Sequence, residues 1–242
     1  PPMPRASAKT DSSAPSSARQ RRKEARPQEL LEAALSLFVE KGFAATRSEE
    51  VAAKAGVSKG TLYLYFPSKE ELFKAVVREA LGSKIAEGIS ELAKHQGSMA
   101  ELLTWMLWTW WERLGRTPAG GIHKIMMSEA RNFPELAAFY NDEVIDPCCE
   151  LLAEVVRRGV ASGEFREVDP DAAVMVLIGP MLHLVLHEHS IGAAGVTHDH
   201  KCTPEQVLSL QLELMFEGLL NRPRHPAPPR SPGPGVSALS IS

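Results

Sequence analysis

Cysteine is scarce in this chain. Three occur in 242 residues. Cys148 and Cys149 are adjacent, which makes a poor bridge, and the odd count leaves no paired framework. No uninterrupted apolar run reaches the ~18 residues of a membrane span, and the polar N-terminus lacks the apolar stretch of a secretory signal. A disulfide-stapled secreted scaffold and a membrane-spanning protein are thereby excluded, and a cytoplasmic protein with no membrane partner is the expectation. Aromatic residues are only 6% of the chain, yet all four tryptophans fall within Trp105–Trp111. Hydrophobic residues at 44% and charged residues at 24% are ordinary for a globular protein, and the length suits one large domain or two modest ones.

The net charge of −3 conceals an asymmetry. Residues 1–81 carry 14 Lys+Arg against 10 Asp+Glu, whereas residues 82–242 carry 13 against 20. A surface for phosphates is plausible only in the first third. The first 26 residues are rich in Ser, Pro and Arg with little to bury, so they read as a disordered basic arm able to follow DNA's field. Asn221–Ser242 is proline-rich without apolar periodicity and reads as a disordered tail.

Between them the apolar spacing is helical throughout. Leu31, Ala34, Leu35 and Phe38 fall at i, i+3, i+4 and i+7 of a helix over Gln28–Lys41. Ser48 can cap a short helix with Val51, Ala52 and Ala55 on one stripe, which Gly56 ends. Ser58 can cap a second, from Lys59 to about Phe66, and Pro67 stops it. Ser68 with Glu71 forms a capping box for a third, which runs on to about His95 as a lever between two domains. Helix, glycine turn, helix is the DNA-binding helix-turn-helix outline, although a small helical hairpin with solvated lysines fits the outline alone.

The residues are more specific than the outline. FVEKGFAATRSEEVAAKAGVSKGTLYLYFPSKEEL closely resembles the N-terminal domain of the TetR family of bacterial transcriptional repressors, over about Pro27–Val77. The resemblance implies an all-α, dimeric, non-enzymatic regulator. A three-helix helix-turn-helix DNA-binding domain (27–81) would be followed by a larger helical ligand-binding and dimerisation domain (82–220). It also implies binding to a double-stranded DNA operator, relieved by a small-molecule effector. By position, Tyr63 and Lys69 would hold the DNA backbone, with Arg47 a third phosphate contact. Lys59, Gly60, Thr61 and Tyr65 would lie at the bases, where a Lys can donate to guanine and a Thr methyl can meet a thymine methyl, and Ser58 would belong to the same DNA-binding set.

In the second part, Trp105, Trp108 and Trp111 share a helix face, while Trp110 points elsewhere. They are as consistent with a solid core as with a pocket. As pocket walls they would combine with Met126, Met127, Phe139 and Tyr140, and His123, Ser128 and His183 are candidates to orient the ligand. The effector would be mostly apolar or aromatic, with one cationic or hydroxyl group. Pro147 should make its helix restart near Asp146. The apolar stretches over 171–190 and 204–220 read as a dimer face, with Leu184 and Leu212 at the seam.

Five of the eight histidines lie between His183 and His200, close to Cys202. His183 and His187 have a spacing that can share a metal, and a metal-responsive regulator is the alternative reading. Histidines at a seam or in a loop explain the cluster more simply. An enzyme would further need a placed general base, and Glu188 does not share the His183/His187 face. No cofactor or resident metal is expected.

Overall fold

The computed structural model describes residues 15–194 and 202–220. Among them there is no strand, only an isolated antiparallel bridge between Phe165 and Leu220. The expected tail, residues 1–14 of the arm, and the loop holding His198 and His200 lie outside the described residues.

Among the described residues eleven α-helices carry the fold: α1 (Pro15–Lys41), α2 (Ser48–Lys54), α3 (Lys59–Tyr65), α4 (Lys69–Val77), α5 (Ser83–Lys94), α6 (Met99–Trp110), α7 (Gly121–Glu129), α8 (Pro134–Tyr140), α9 (Asp146–Ala161), α10 (Pro170–His187) and α11 (Pro204–Leu219). The first begins at Pro15 and not at Gln28, and it carries Pro27 in its interior. The capping signals act largely as the sequence suggests. Ser58 and Ser68 accept the amide hydrogens of Thr61 and Glu71 at 3.1 Å each, and Asp169 caps α10. At α2 the cap falls one residue early, on Arg47, whose amide donates to Glu50 Oε2 at 3.2 Å. Ser48 is then the buried first residue of the helix. Gly56 turns the chain between α2 and α3 at φ 68°, a left-handed conformation that a side chain would strain.

Four π turns interrupt the helical rods: Arg78–Gly82, Trp111–Gly115, Asn141–Ile145 and Glu188–Gly192. The first joins α4 to α5, so the expected lever helix runs on through a wide turn. The third lets α8 continue into α9, which starts at Asp146 with Pro147 in its first turn.

Two hydrophobic cores form, and they do not divide where the sequence suggests. The first joins α1–α4 with α7 and α8, through Phe38, Phe43, Phe73, Ile122, Met126 and Tyr140. Phe43 stacks edge-on against Phe133, the residue before α8, at 4.8 Å. Gly121 brings α7 onto α1, for a Cβ there would lie 2.8 Å from Val39 Cγ1. The second core joins α6, α9, α10 and α11 through Leu103, Trp111, Val156, Leu177 and Leu212. With its π turn, α10 is long and apolar enough to cross a membrane by composition alone. Here it packs on α7, α9 and α11.

Candidate DNA interface and ligand cavity

The end of the molecule formed by α2 and α3 gathers most of the expected DNA residues. Arg47, Ser58, Lys59, Gly60 and Tyr63 are exposed, while Leu62 anchors α3 in the first core. Lys59 is poised rather than idle. Its ammonium pairs with Glu49 and lies 5.7 Å from the Tyr63 ring centre. Thr61 is half-buried, its hydroxyl 2.9 Å from Ser58 Oγ. Around Gly60 a Cβ would meet only Ser58 Oγ, at 3.8 Å.

Two expected contacts fall elsewhere. Tyr65 is half-buried and packs on the first core. Lys69 turns inward: its Nζ donates to the carbonyls of Phe43, Ala44 and Thr46 at 2.9, 3.2 and 3.1 Å, and lies 4.5 Å from the Phe43 ring centre. Three N–H groups on three carbonyls use its whole donor capacity, so Lys69 holds the α1–α2 turn in place. One residue was not anticipated. Leu64 is 85% exposed on the side of α3 that carries Gly60 and Thr61. The sequence signal was present, since i, i+3 and i+4 spacing places these three together.

Between the two cores lies a cavity of about 390 Å³, within the range of small-molecule sites. Leu81, Leu114, Met126 and Tyr140 line it from the first core, and Met106, Leu107, Leu152 and Met181 from the second. Three of the four π turns contribute walls, with Leu81, Arg113, Leu114, Val144 and Ile145 among them. Such turns displace side chains from the regular helical phase and recur at functional sites.

The structure brings part of the expected aromatic wall to the cavity. Trp105, Met126, Met127 and Tyr140 line the cavity. Trp110, expected to point away, lines it too. Trp111 is instead 2% exposed in the second core, its Nε1 donating to Glu205 at 3.4 Å, and Trp108 packs beside that core. A helical face continued from Trp108 to Trp111 therefore turns to α10 and α11, one step round the helix from the cavity. Phe139 faces the lever, with Arg78 4.9 Å and Lys74 5.7 Å from its ring centre. His183 is exposed on α10, on the face turned away from Met181 and the cavity. Among the described residues no group of three or more His, Cys, Asp or Glu side chains converges to hold a metal.

The polar centre of the cavity wall joins two residues expected at the ligand, His123 and Tyr140, the Tyr140 hydroxyl hydrogen-bonding His123 Nδ1. Burial, with the nearby His189 charge, lowers the His123 pKa to about 4. Burial likewise raises the Tyr140 pKa. Both rings are therefore neutral at pH 7. Cys148 also lines the cavity, its thiol pushed up to about 11 by burial and by Cys149. That keeps it protonated and a poor nucleophile. Charge appears only at the rim, on Lys84, Glu87 and Arg113.

A helix-turn-helix unit joined by a lever helix to a hollow bundle defines a helix-turn-helix transcriptional regulator. Residues 30–76 match the model for bacterial regulatory proteins of the tetR family, and residues 93–198 match a tetracyclin repressor-like C-terminal domain. Together the two matches span more than half of the chain, which belongs to the TetR family. Among relatives, the fatty acid metabolism regulator protein of Bacillus subtilis (strain 168) is 26% identical over 203 residues, covering 83% of this chain and all of the relative. An uncharacterised helix-turn-helix regulator of the same organism is 29% identical over 154 residues, covering 63% of this chain and 74% of the other. A transcriptional regulator from Saccharomonospora viridis, solved in complex with choline, shares the fold at TM-score 0.67 and 21% identity, over 83% of this chain and all of that one.

Proposed function

We propose that this protein is a cytoplasmic, dimeric transcriptional repressor that leaves its operator when a small, mostly apolar molecule fills the cavity. The observation that carries this reading is the position of the cavity at the seam of two cores, one containing the helix-turn-helix and the other containing α10 and α11. A ligand there touches both bodies and favours whichever relative placement gives it better contacts.

Dimerisation supplies the second half of the device. Met175 and Val176 on α10, with Leu210 and Leu214 on α11, are all more than half exposed. An apolar surface on two adjacent helices suits a self-complementary face with a second copy. Two copies would present two α3 helices to successive major grooves, ~34 Å apart. Arg47 and Tyr63 would hold phosphates, while Lys59, Gly60, Thr61 and Leu64 meet base edges.

Selection from random DNA followed by anisotropy titration tests the proposal, with 1-anilinonaphthalene-8-sulfonate as a probe to occupy the cavity. The expected result is a two-fold symmetric site whose affinity falls as the probe binds. Selection of no sequence would overturn the DNA reading. Probe binding with unchanged operator affinity would overturn the effector reading.

A further inference from the structure

The charges at the cavity rim are unevenly matched. Arg113 Nη1 lies 2.5 Å from Glu87 Oε1, and Lys84 Nζ lies 3.7 Å from Glu87 Oε2. Two cations thus share one carboxylate, and no other acidic side chain lines the cavity. All three are between a third and a half exposed, so solvent reaches the cavity there. Deeper in, Met106, Met126, Leu152 and Met181 offer only apolar surface.

The buried His123–Tyr140 pair within is neutral and has a donor to spare. If the Tyr140 hydroxyl donates to His123 Nδ1, the neutral imidazole carries its proton on Nε2. If His123 Nδ1–H donates instead, the Tyr140 O–H is released. Either tautomer can give one hydrogen bond to an acceptor in the ligand, and neither offers a charge.

We infer that the ligand is an anionic single-tailed amphiphile: an aliphatic chain lying in the cavity, with an acid head group drawn to Arg113 and Lys84. This deepens the ligand-responsive reading and rests on it. A cationic head would meet two like charges at the rim, and the attraction of the Trp105 and Trp110 faces would have to overcome them. An acid head has the opposite fortune and competes with Glu87 for Arg113. Glu87 lies on α5 and Arg113 in the π turn after α6. Capture of Arg113 by the ligand therefore unties α5, the distal half of the lever, from its neighbour. A neutral head group fills the cavity equally well but leaves that tie closed.

The test uses the full chain and three probes of equal tail length: dodecanoate, dodecan-1-ol and dodecyltrimethylammonium, each below its micellar concentration. Tryptophan fluorescence reads binding and anisotropy of the selected DNA reads release. Dodecanoate should bind at least tenfold more tightly than the alcohol, and the ammonium probe more weakly than either. Arg113→Gln should bring the acid down to the affinity of the alcohol. Glu87→Gln, which frees Arg113, should tighten the acid several-fold. Lys84→Gln provides a second rim variant should Arg113→Gln melt early. Equal binding of acid and alcohol, or preference for the cation, would overturn the assignment while leaving the effector role open. Tight acid binding without DNA release would support the ligand and overturn the effector role.

Discussion

Arg78 and Glu143 meet through two parallel contacts, Nε to Oε2 at 2.7 Å and Nη2 to Oε1 at 2.5 Å, and each lies in a π turn. The pair ties the middle of the lever to the junction of α8 and α9, beside the cavity. Being about half exposed, it should contribute less than about 1 kcal/mol to stability. Its larger effect should be on coupling. Arg78→Ala or Glu143→Gln should shrink the ratio of operator affinities between empty and probe-filled protein, with the exchanged pair Arg78→Glu/Glu143→Arg restoring part of it. Anisotropy titrations with and without probe measure that ratio. An unchanged ratio in both single variants would show that the signal passes elsewhere.

Lys69 should behave as a fold residue. Lys69→Met leaves three carbonyls of the α1–α2 turn without their charged donor, at a cost of about 1–3 kcal/mol. Thermal melting should register that loss, while the salt dependence of DNA binding keeps its slope. Arg47→Ala should do the opposite, lowering the slope by about 1 with little change in melting temperature.

An 85% exposed leucine on α3 suits a methyl group better than a hydrogen-bonding base edge. Replacing thymines of the selected operator by uracil, one at a time, should weaken wild-type binding at one position per half-site. Leu64→Ala should abolish that sensitivity. If every uracil substitution is silent for the wild type, Leu64 does not read thymine.

The dimer face can be separated from the core beneath it. Leu214 is 64% exposed on α11, whereas Leu212 is 7% exposed and belongs to the second core, with Leu184 packed against it. Leu214→Glu should give a folded monomer with weak operator binding, and Leu212→Glu should unfold the bundle. Sedimentation and circular dichroism distinguish the two outcomes.

Acid should destabilise the fold through His123. In the unfolded chain its pKa is near 6.5, and in the folded protein about 4. Above pH 6.5 both states are neutral and nothing is lost. Between the two values the unfolded chain takes a proton that the folded one refuses, so stability falls as pH falls. The loss is complete below about pH 4, at about 3 kcal/mol. Urea melts of wild type and His123→Gln across pH 7 to 4 should diverge by that amount. Parallel curves would rule His123 out as the source.

The helix-turn-helix was legible in the chain because its information is local. Ser58, Gly56 and Ser68 each fix a cap or turn within three or four residues. The cavity was harder to read, and Trp110 shows why. The apolar pattern assigns faces by counting 3.6 residues per turn, but a whole stretch of α6 is apolar on every side, so counting could not choose between the cavity and the second core. The inward turn of Lys69 was hidden for a related reason. A lysine at a helix start looks solvated until the turn some 25 residues earlier folds back upon it. The lever posed the same problem: a regular helix was expected to run unbroken to about His95, whereas a wide turn at Arg78–Gly82 displaces the residues beyond it.

That last displacement has a rotational meaning. Each residue advances a helix by about 100°, and the wide turn at Arg78–Gly82 absorbs one residue beyond what a regular helix would hold. The lever thus behaves as a shaft with a phase offset cut into it midway. Straightening the turn into regular helix, with no residue removed, would preserve the polarity of the shaft while swinging everything beyond it by about a quarter turn. Lys84, Glu87 and Gly88 would then leave the cavity, although not one of their side chains had been altered.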